Sequence, residues 1–332
     1  MSKYFLSMDI DISSLGIYII APNGSNYTNS VDCFFKIQVM GFLSLIISPV
    51  GMVLNSTVLW FLGFQIRRNA FSVYILNLAG ADFLFLHSQF LFYLLAIFPS
   101  IPTQIPLFFD MLTKFAYLSG LSILSTISIE RCLCVMWPIW YRCQRPKHTS
   151  SVTCSLLWAL SLLFALLDGI GCGLLFNSFD QSWCLRFDLI ICAWSIVLFV
   201  VLCGSSLILL VRIFCGSQQI PVTRLYVTIA LTVLFFLICC LPFGISWIIQ
   251  WSETLIYVGF CDYFHEELFL SCINSCANPI IYFLVGFIRQ RKFQQKSLKV
   301  LLQRAMEDTP EEENEDMGPS RNPEEFETVC SN

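Results

Sequence analysis

Glu130 and Arg131 stand side by side at the end of the apolar run 119–129, just before a stretch rich in aromatic and basic residues, Trp137-Pro138-Ile139-Trp140-Tyr141-Arg142. A carboxylate beside a guanidinium can hold an internal ion pair or release the guanidinium to a partner. Both are costly to bury in hydrocarbon, so charges in such places mark function more often than filler. Asp82 ends Asn77-Leu78-Ala79-Gly80-Ala81-Asp82 in the middle of another apolar run, with no adjacent base. It is either a protonated carboxyl hydrogen-bonded inside a bundle or a switchable charge facing polar groups on other helices. Asn55, Asn274, Ser275 and Asn278 are the side chains available to meet it. In Asn278-Pro279-Ile280-Ile281-Tyr282 the proline removes a backbone donor and bends its helix, while Asn278 can satisfy the freed polar groups.

None of these residues forms a catalytic set. His87, His148 and His265 are scattered, and no CxxC pair or His-rich spacing occurs. The chain is therefore expected to be no enzyme and to need no cofactor or metal. Most of the 16 cysteines lie in apolar runs (Cys132, Cys134, Cys192, Cys203, Cys239, Cys240), where the thiol packs as a small hydrophobe. A retinal photoreceptor would need a lysine in the middle of the last apolar run, and Lys292 lies beyond its end. A polytopic transporter or channel, the alternative class, would be expected to show paired midplane charges or repeated halves. Only Asp82 is central, and no internal repeat is present.

The elements that position these groups follow from composition. Of 332 residues 56% are hydrophobic and 13% charged, against about 25% charged in soluble domains, so lipid is the expected solvent. Seven runs are long enough to cross a layer of about 30 Å at about 1.5 Å per residue: Ile37–Phe64, Ala70–Phe98, Pro106–Trp137, Ser150–Phe176, Phe187–Phe214, Thr223–Trp251 and Leu255–Val285. The expected fold is an all-α membrane protein, a seven-helix bundle over 36–286 preceded by an N-terminal arm, 1–35.

Basic residues gather at one end: Arg67, Arg68, Arg142, Arg145, Lys147, Arg212, Arg224 and Arg289. That end should face the cytoplasm, with the N-terminus outside and the C-terminus inside, in a multi-pass plasma-membrane protein. The sequons at Asn23 and Asn26 on the arm fit this orientation. Residues 287–304 mix apolar and basic side chains as an amphipathic helix lying on the inner leaflet would, with membrane lipid as its partner. The acidic tail 305–332 is expected to be disordered. The net charge of −4 is segregated, and nucleic acid is not an expected partner.

Asn55, Asp82, Glu130-Arg131-Cys132, Trp158 and Asn278–Tyr282 together resemble the landmarks of rhodopsin-like G-protein-coupled receptors, in order. Longer stretches resemble the Mas-related receptors: Arg68-Asn69-Ala70-Phe71-Ser72, Trp137-Pro138-Ile139-Trp140-Tyr141-Arg142-Cys143 and Leu202-Cys203-Gly204-Ser205-Ser206. The tail from Arg304 to Glu311 looks like the rodent B-type members. The resemblance implies a receptor with a heterotrimeric G protein as partner through Gq or Gi, and arrestin as a further one. Coupling would run through Glu130, Arg131, Cys132, Asn278, Pro279 and Tyr282. It also implies sensory-neuron or mast-cell-type signalling in itch or pain.

Departures from the wider rhodopsin-like pattern carry information. No cysteine lies near Ile105-Pro106-Leu107, and the Mas-related resemblance implies a disulfide between Cys172 and Cys184 instead. Cys239-Cys240-Leu241-Pro242 lacks the tryptophan that most relatives place before the proline. Val222 offers no acid to Arg131, implying a weak resting lock, and Gly120 leaves the implied sodium site around Asp82 one ligand short.

Asp168 precedes Cys172 by a turn and Asp188 follows Cys184 by a turn, so the implied bond would hold both acids at the outer mouth. They are either solvated interfacial acids or the seat of a cation. Acids at these two positions match those that relatives use to hold basic peptides and small cationic amphiphiles. Trp183 and Trp247 at the same rim would add cation–π contacts or form an interfacial belt.

Overall fold

The computed structural model describes residues 27–65, 70–96, 104–146, 148–171, 181–215 and 264–288. The sixth apolar run with Val222, Cys239–Pro242 and Trp247, the sequons at Asn23 and Asn26, Cys172, the surface helix beyond Ile288 and the tail lie outside the described residues. The helices are α1 (Tyr27–Trp60), α2 (Ala70–Ala96), α3 (Gln104–Met136), the short α4 (Pro138–Cys143), α5 (Thr149–Gly171), α6 (Gln181–Cys215) and α7 (Phe264–Ile288). A π-helical turn, Phe61–Gln65, closes α1. Five of these helices carry stretches of 23 to 29 residues long and apolar enough to cross a membrane.

Several boundaries differ from expectation, α6 beginning at Gln181 rather than Phe187 among them. The first helix begins at Tyr27 rather than Ile37, so helix propensity carries through polar residues ahead of the apolar run. The third helix stops at Met136 because Pro138, which has no amide proton to donate, starts the separate helix α4 at its first position.

The bundle is built around α3, which packs against α2, α4, α5 and α6, while α7 lies against α1 and α2. In the spanning stretch of α3, 67% of residues are buried, against 22% in α5 and in α6. The exposed residues show why: Phe42, Ile46, Val50 and Val53 recur at helical spacing along one face of α1, a stripe suited to lipid.

Small and hydroxyl side chains knit the helices, as expected where lipid gives no hydrophobic drive for helix association. Ser205 donates to Ser128 at 2.7 Å, Ser128 and Ser206 hydroxyls meet at 3.0 Å, and Ser125 donates to the Leu198 carbonyl at 3.1 Å, joining α3 to α6. Trp158 donates its indole N–H to Asn77 Oδ1 at 3.0 Å, joining α5 to α2. Gly51 lets α1 approach α2 and α7: a Cβ there would meet the Cys276 sulfur and stand 2.6 Å from Leu86 Cδ1.

Candidate functional site

Three polar constellations occupy the bundle, one near its middle and one towards each end. In the middle, Asp82 on α2 accepts hydrogen bonds from Ser275 Oγ at 2.9 Å and from Asn278 Nδ2 at 2.7 Å, one on each carboxylate oxygen. Both donors sit on α7, where Pro279 interrupts the backbone ladder next to Asn278. Asn55 does not join the carboxylate. Its amide donates to the backbone carbonyls of Gly51 and Ser275, both at 3.0 Å, so it ties α1 to α7. Asn274 lines the cavity beside Asp82, together with Leu78, Gly120, Leu124 and Ser271. Of the four expected partners, two bind Asp82 directly, one holds their backbone, and one faces the cavity.

The second constellation lies where α3 ends and α5 begins. Glu130 is almost fully buried and receives a two-toothed clasp from Arg145: Nε to Oε2 at 3.1 Å and Nη2 to Oε1 at 2.9 Å. Tyr74 on α2 donates its hydroxyl to the same Oε1 at 3.0 Å. Arg145 Nη2 also reaches Ser150 Oγ at 2.7 Å, and its guanidinium lies 5.2 Å from the Tyr141 ring centre. Such paired charge-assisted bonds fix geometry as well as charge.

Arg145 lies outside the spanning helices. Burial works against its charge, but the Glu130 hydrogen bonds together with the charges around it outweigh that and keep its proton bound more tightly than usual. Tyr141 is pushed up by burial and then by the Glu130 charge. Arg131, 1% exposed, lies with its guanidinium carbon 3.8 Å from the Phe71 ring centre. The sequence put Glu130 and Arg131 together as a pair; the structure clasps Glu130 with Arg145 and stacks Arg131 on an aromatic face of α2. Cys132 is half-buried with a free thiol, and Pro279 is buried; Tyr282 lies in α7.

The third constellation lies at the opposite end, where α3 begins, α5 ends and α6 begins. Lys114 Nζ stands 2.7 Å from Asp168 Oδ2 and 3.7 Å from Asp110 Oδ2. The Asp168 side chain is 0% exposed, Lys114 12% and Asp110 28%. Asp188 on α6 lies near enough to feel the charges of both Asp168 and Lys114. Its Oδ2 is 3.9 Å from the sulfur of Cys184, one turn earlier. Cys184 is disulfide-bonded; Cys172, its expected partner, lies outside the described residues. Three carboxylates and one ammonium thus converge from three helices, and such a cluster can hold cationic groups.

Trp183 is exposed, stacks on Phe187 with centroids 6.0 Å apart, and has the guanidinium of its own neighbour Arg186 5.0 Å from its ring centre. Its aromatic face is already covered by a residue of the same helix.

Sequence reasoning brought Asp168 and Asp188 together and gave no role to Lys114 and Asp110. The signal was available: Asp110 and Lys114 are four apart on one helix and so share a face. Arg145 and Tyr74 carried no comparable mark, because neither lies near Glu130 in sequence. Cys143 is disulfide-bonded as well, which its place after an aromatic loop did not foretell.

The profile of the 7 transmembrane receptor (rhodopsin family) matches residues 54–282. The chain is 61% identical over 336 residues to "Mas-related G-protein coupled receptor member B2" of Mus musculus, covering 100% of this chain and 99% of that one. It is 56% identical over 328 residues to "Mas-related G-protein coupled receptor member X2" of Mus musculus, covering 98% and 93%. To the member X2 of Homo sapiens it is 54% identical over 309 residues, covering 92% and 94%.

Proposed function

The chain belongs to the Mas-related G-protein-coupled receptors of the rhodopsin family, and we propose that its ligands are cationic peptides or amphiphilic amines. As a member of that family it is a multi-pass membrane receptor that acts through a heterotrimeric G protein, and the transporter or channel alternative falls away.

The observation that carries the ligand class is the cluster of Asp110, Asp168 and Asp188 around a single Lys114. With all four ionised its charge is −2, from three carboxylates and one ammonium. In a low-dielectric rim such an excess attracts cations far more strongly than solvated acids do. The acid end faces outwards and the Arg131 end faces the cytoplasm, as the basic loops favour. Cys184 is disulfide-bonded; paired with Cys172, as the family resemblance implies, this bond fixes the start of α6 and with it Asp188.

Activation is a shift of population. A cation bound at the acid cluster favours a bundle whose inner end is open. Arg131 leaves Phe71 and meets the G-protein α-subunit together with Cys132, while Tyr282 supports the rearranged α7 and Asp82, Asn278 and Pro279 relay the change along it. Coupling is to Gq, Gi or both, arrestin binds the activated state, and signalling serves itch or pain in sensory neurons or mast-type cells.

A calcium-flux screen of basic peptides and amines on cells displaying the receptor tests the reading. Cationic compounds should activate it and neutral analogues should not. Asp188→Asn at equal surface level should lower cationic potency by about tenfold or more, the effect of losing roughly 1.4 kcal/mol. Equal potency in wild type and variant would refute the assignment.

A further inference from the structure

We propose that Phe71 is the resting seat of Arg131: its ring holds the guanidinium against α2 by a tie that can be given up without stranding a charge. This rests on the reading above in which Arg131 meets the G-protein α-subunit, and it names the residue that holds Arg131 back until then.

One face of α2 sorts the acid–arginine pair. Phe71 and Tyr74 lie three positions apart and so share that face. Tyr74 donates its hydroxyl to Glu130 Oε1, while the Phe71 ring centre lies 3.8 Å from the guanidinium carbon of Arg131. Arg145 donates to both oxygens of the same carboxylate. Glu130 therefore keeps these three hydrogen bonds wherever Arg131 goes.

The seat is dry, with Phe71 5% exposed and Arg131 1%. Attraction between a guanidinium and an aromatic face grows when both are out of water. The ring nevertheless carries no net charge. Breaking a buried ion pair leaves an uncompensated charge behind, which is strongly destabilising. Lifting Arg131 from Phe71 uncovers only an aromatic face. A ligand shifts an equilibrium by no more than its differential affinity for the two states, so a seat that is easily left suits a switch thrown from the far end of α3.

Phe71 also belongs to the apolar core, with Tyr74, Ile75, Leu124 and Ile127. Removing the ring loses packing as well as the seat, so the decisive variant must change the charge distribution of the ring and leave its outline nearly intact.

The measurement is ligand-free activation of Gq and Gi by the full-length receptor in cells, read as dissociation of Gα from Gβγ and divided by surface level. Pentafluorophenylalanine in place of Phe71, introduced by amber suppression, reverses the ring quadrupole and should raise ligand-free activation roughly fivefold. Phe71→Leu should raise it at least as far, and Phe71→Tyr, which keeps an electron-rich face, should stay within about twofold of wild type. Adding Arg131→Ala to Phe71→Leu should return the signal to that of mock-transfected cells.

A rise in Phe71→Leu that the fluorinated ring does not reproduce overturns the proposal, because lost packing is then the cause. So does unchanged activation in both, whatever happens to surface level. Should Phe71→Leu fail to reach the surface, the fluorinated receptor decides alone. Wild-type activation that Arg131→Ala removes and neither ring change raises sinks this inference and leaves the coupling reading standing. A raised signal that survives in Phe71→Leu/Arg131→Ala sinks both.

Discussion

A charged side chain inside a bundle is defined by what neutralises it, and the two end clusters show opposite solutions. At one end Glu130 is closed off by Arg145 and Tyr74, leaving it almost fully buried. At the other, Lys114 covers Asp168 but leaves Asp110 partly open. The first is suited to holding a conformation and the second to receiving a ligand. The clasp predicts an order of stability. Arg145→Gln strands a buried carboxylate and should cost about 3 kcal/mol. Tyr74→Phe removes one hydrogen bond to a charge and should cost about 1–2 kcal/mol. Melting of the solubilised receptor measures both; Arg145→Gln melting no earlier than Tyr74→Phe would remove Arg145 as the principal counter-ion of Glu130.

Among the elements, α3 owes its central place to small and hydroxyl side chains as much as to apolar ones. Ser125 and Ser128 meet α6 while Ile123, Leu124 and Ile127 fill the core between them. At the start of the chain the same logic falls to glycine. Gly51 has no room for a methyl group between Leu86 and Cys276, whereas Gly80 on α2 faces open space. Gly51→Ala should therefore cost about 1–3 kcal/mol by overpacking. Gly80→Ala should stay within about 0.5 kcal/mol of wild type. Thermal melts of the two variants side by side test the packing of α1 against α2 and α7, and equal melting points would contradict it.

Across the whole molecule, the proposed orientation places oxidising and glycosylating chemistry at the acid end. Peptide mapping of receptor recovered from intact cells should find glycans at Asn23 and Asn26 and a non-reduced peptide pair joining Cys172 to Cys184. Glycans absent from both asparagines together with free thiols at both cysteines would place that end inside. In the proposed reading, ligand chemistry sits at one end of α3 and G-protein chemistry at the other, with the Asp82 network, Asn278 and Pro279 between them.

The amino-acid sequence alone determined the class of molecule. Seven apolar runs, one midplane acid, an acid–arginine pair at a helix end and a proline inside the last run are local features, visible in single stretches. The resemblance it carries also pointed to Asp168 and Asp188, each one turn from a cysteine of the implied bond. Only the tertiary structure decided the partners. Arg145 reaches Glu130 through the turn after α4, and Lys114 reaches Asp168 across 54 positions. Asn55 spends its donors on backbone carbonyls rather than on Asp82. The reason is geometric: hydrocarbon forces every charged or polar group to find a partner, but which one it finds depends on how neighbouring helices are rotated and raised against each other.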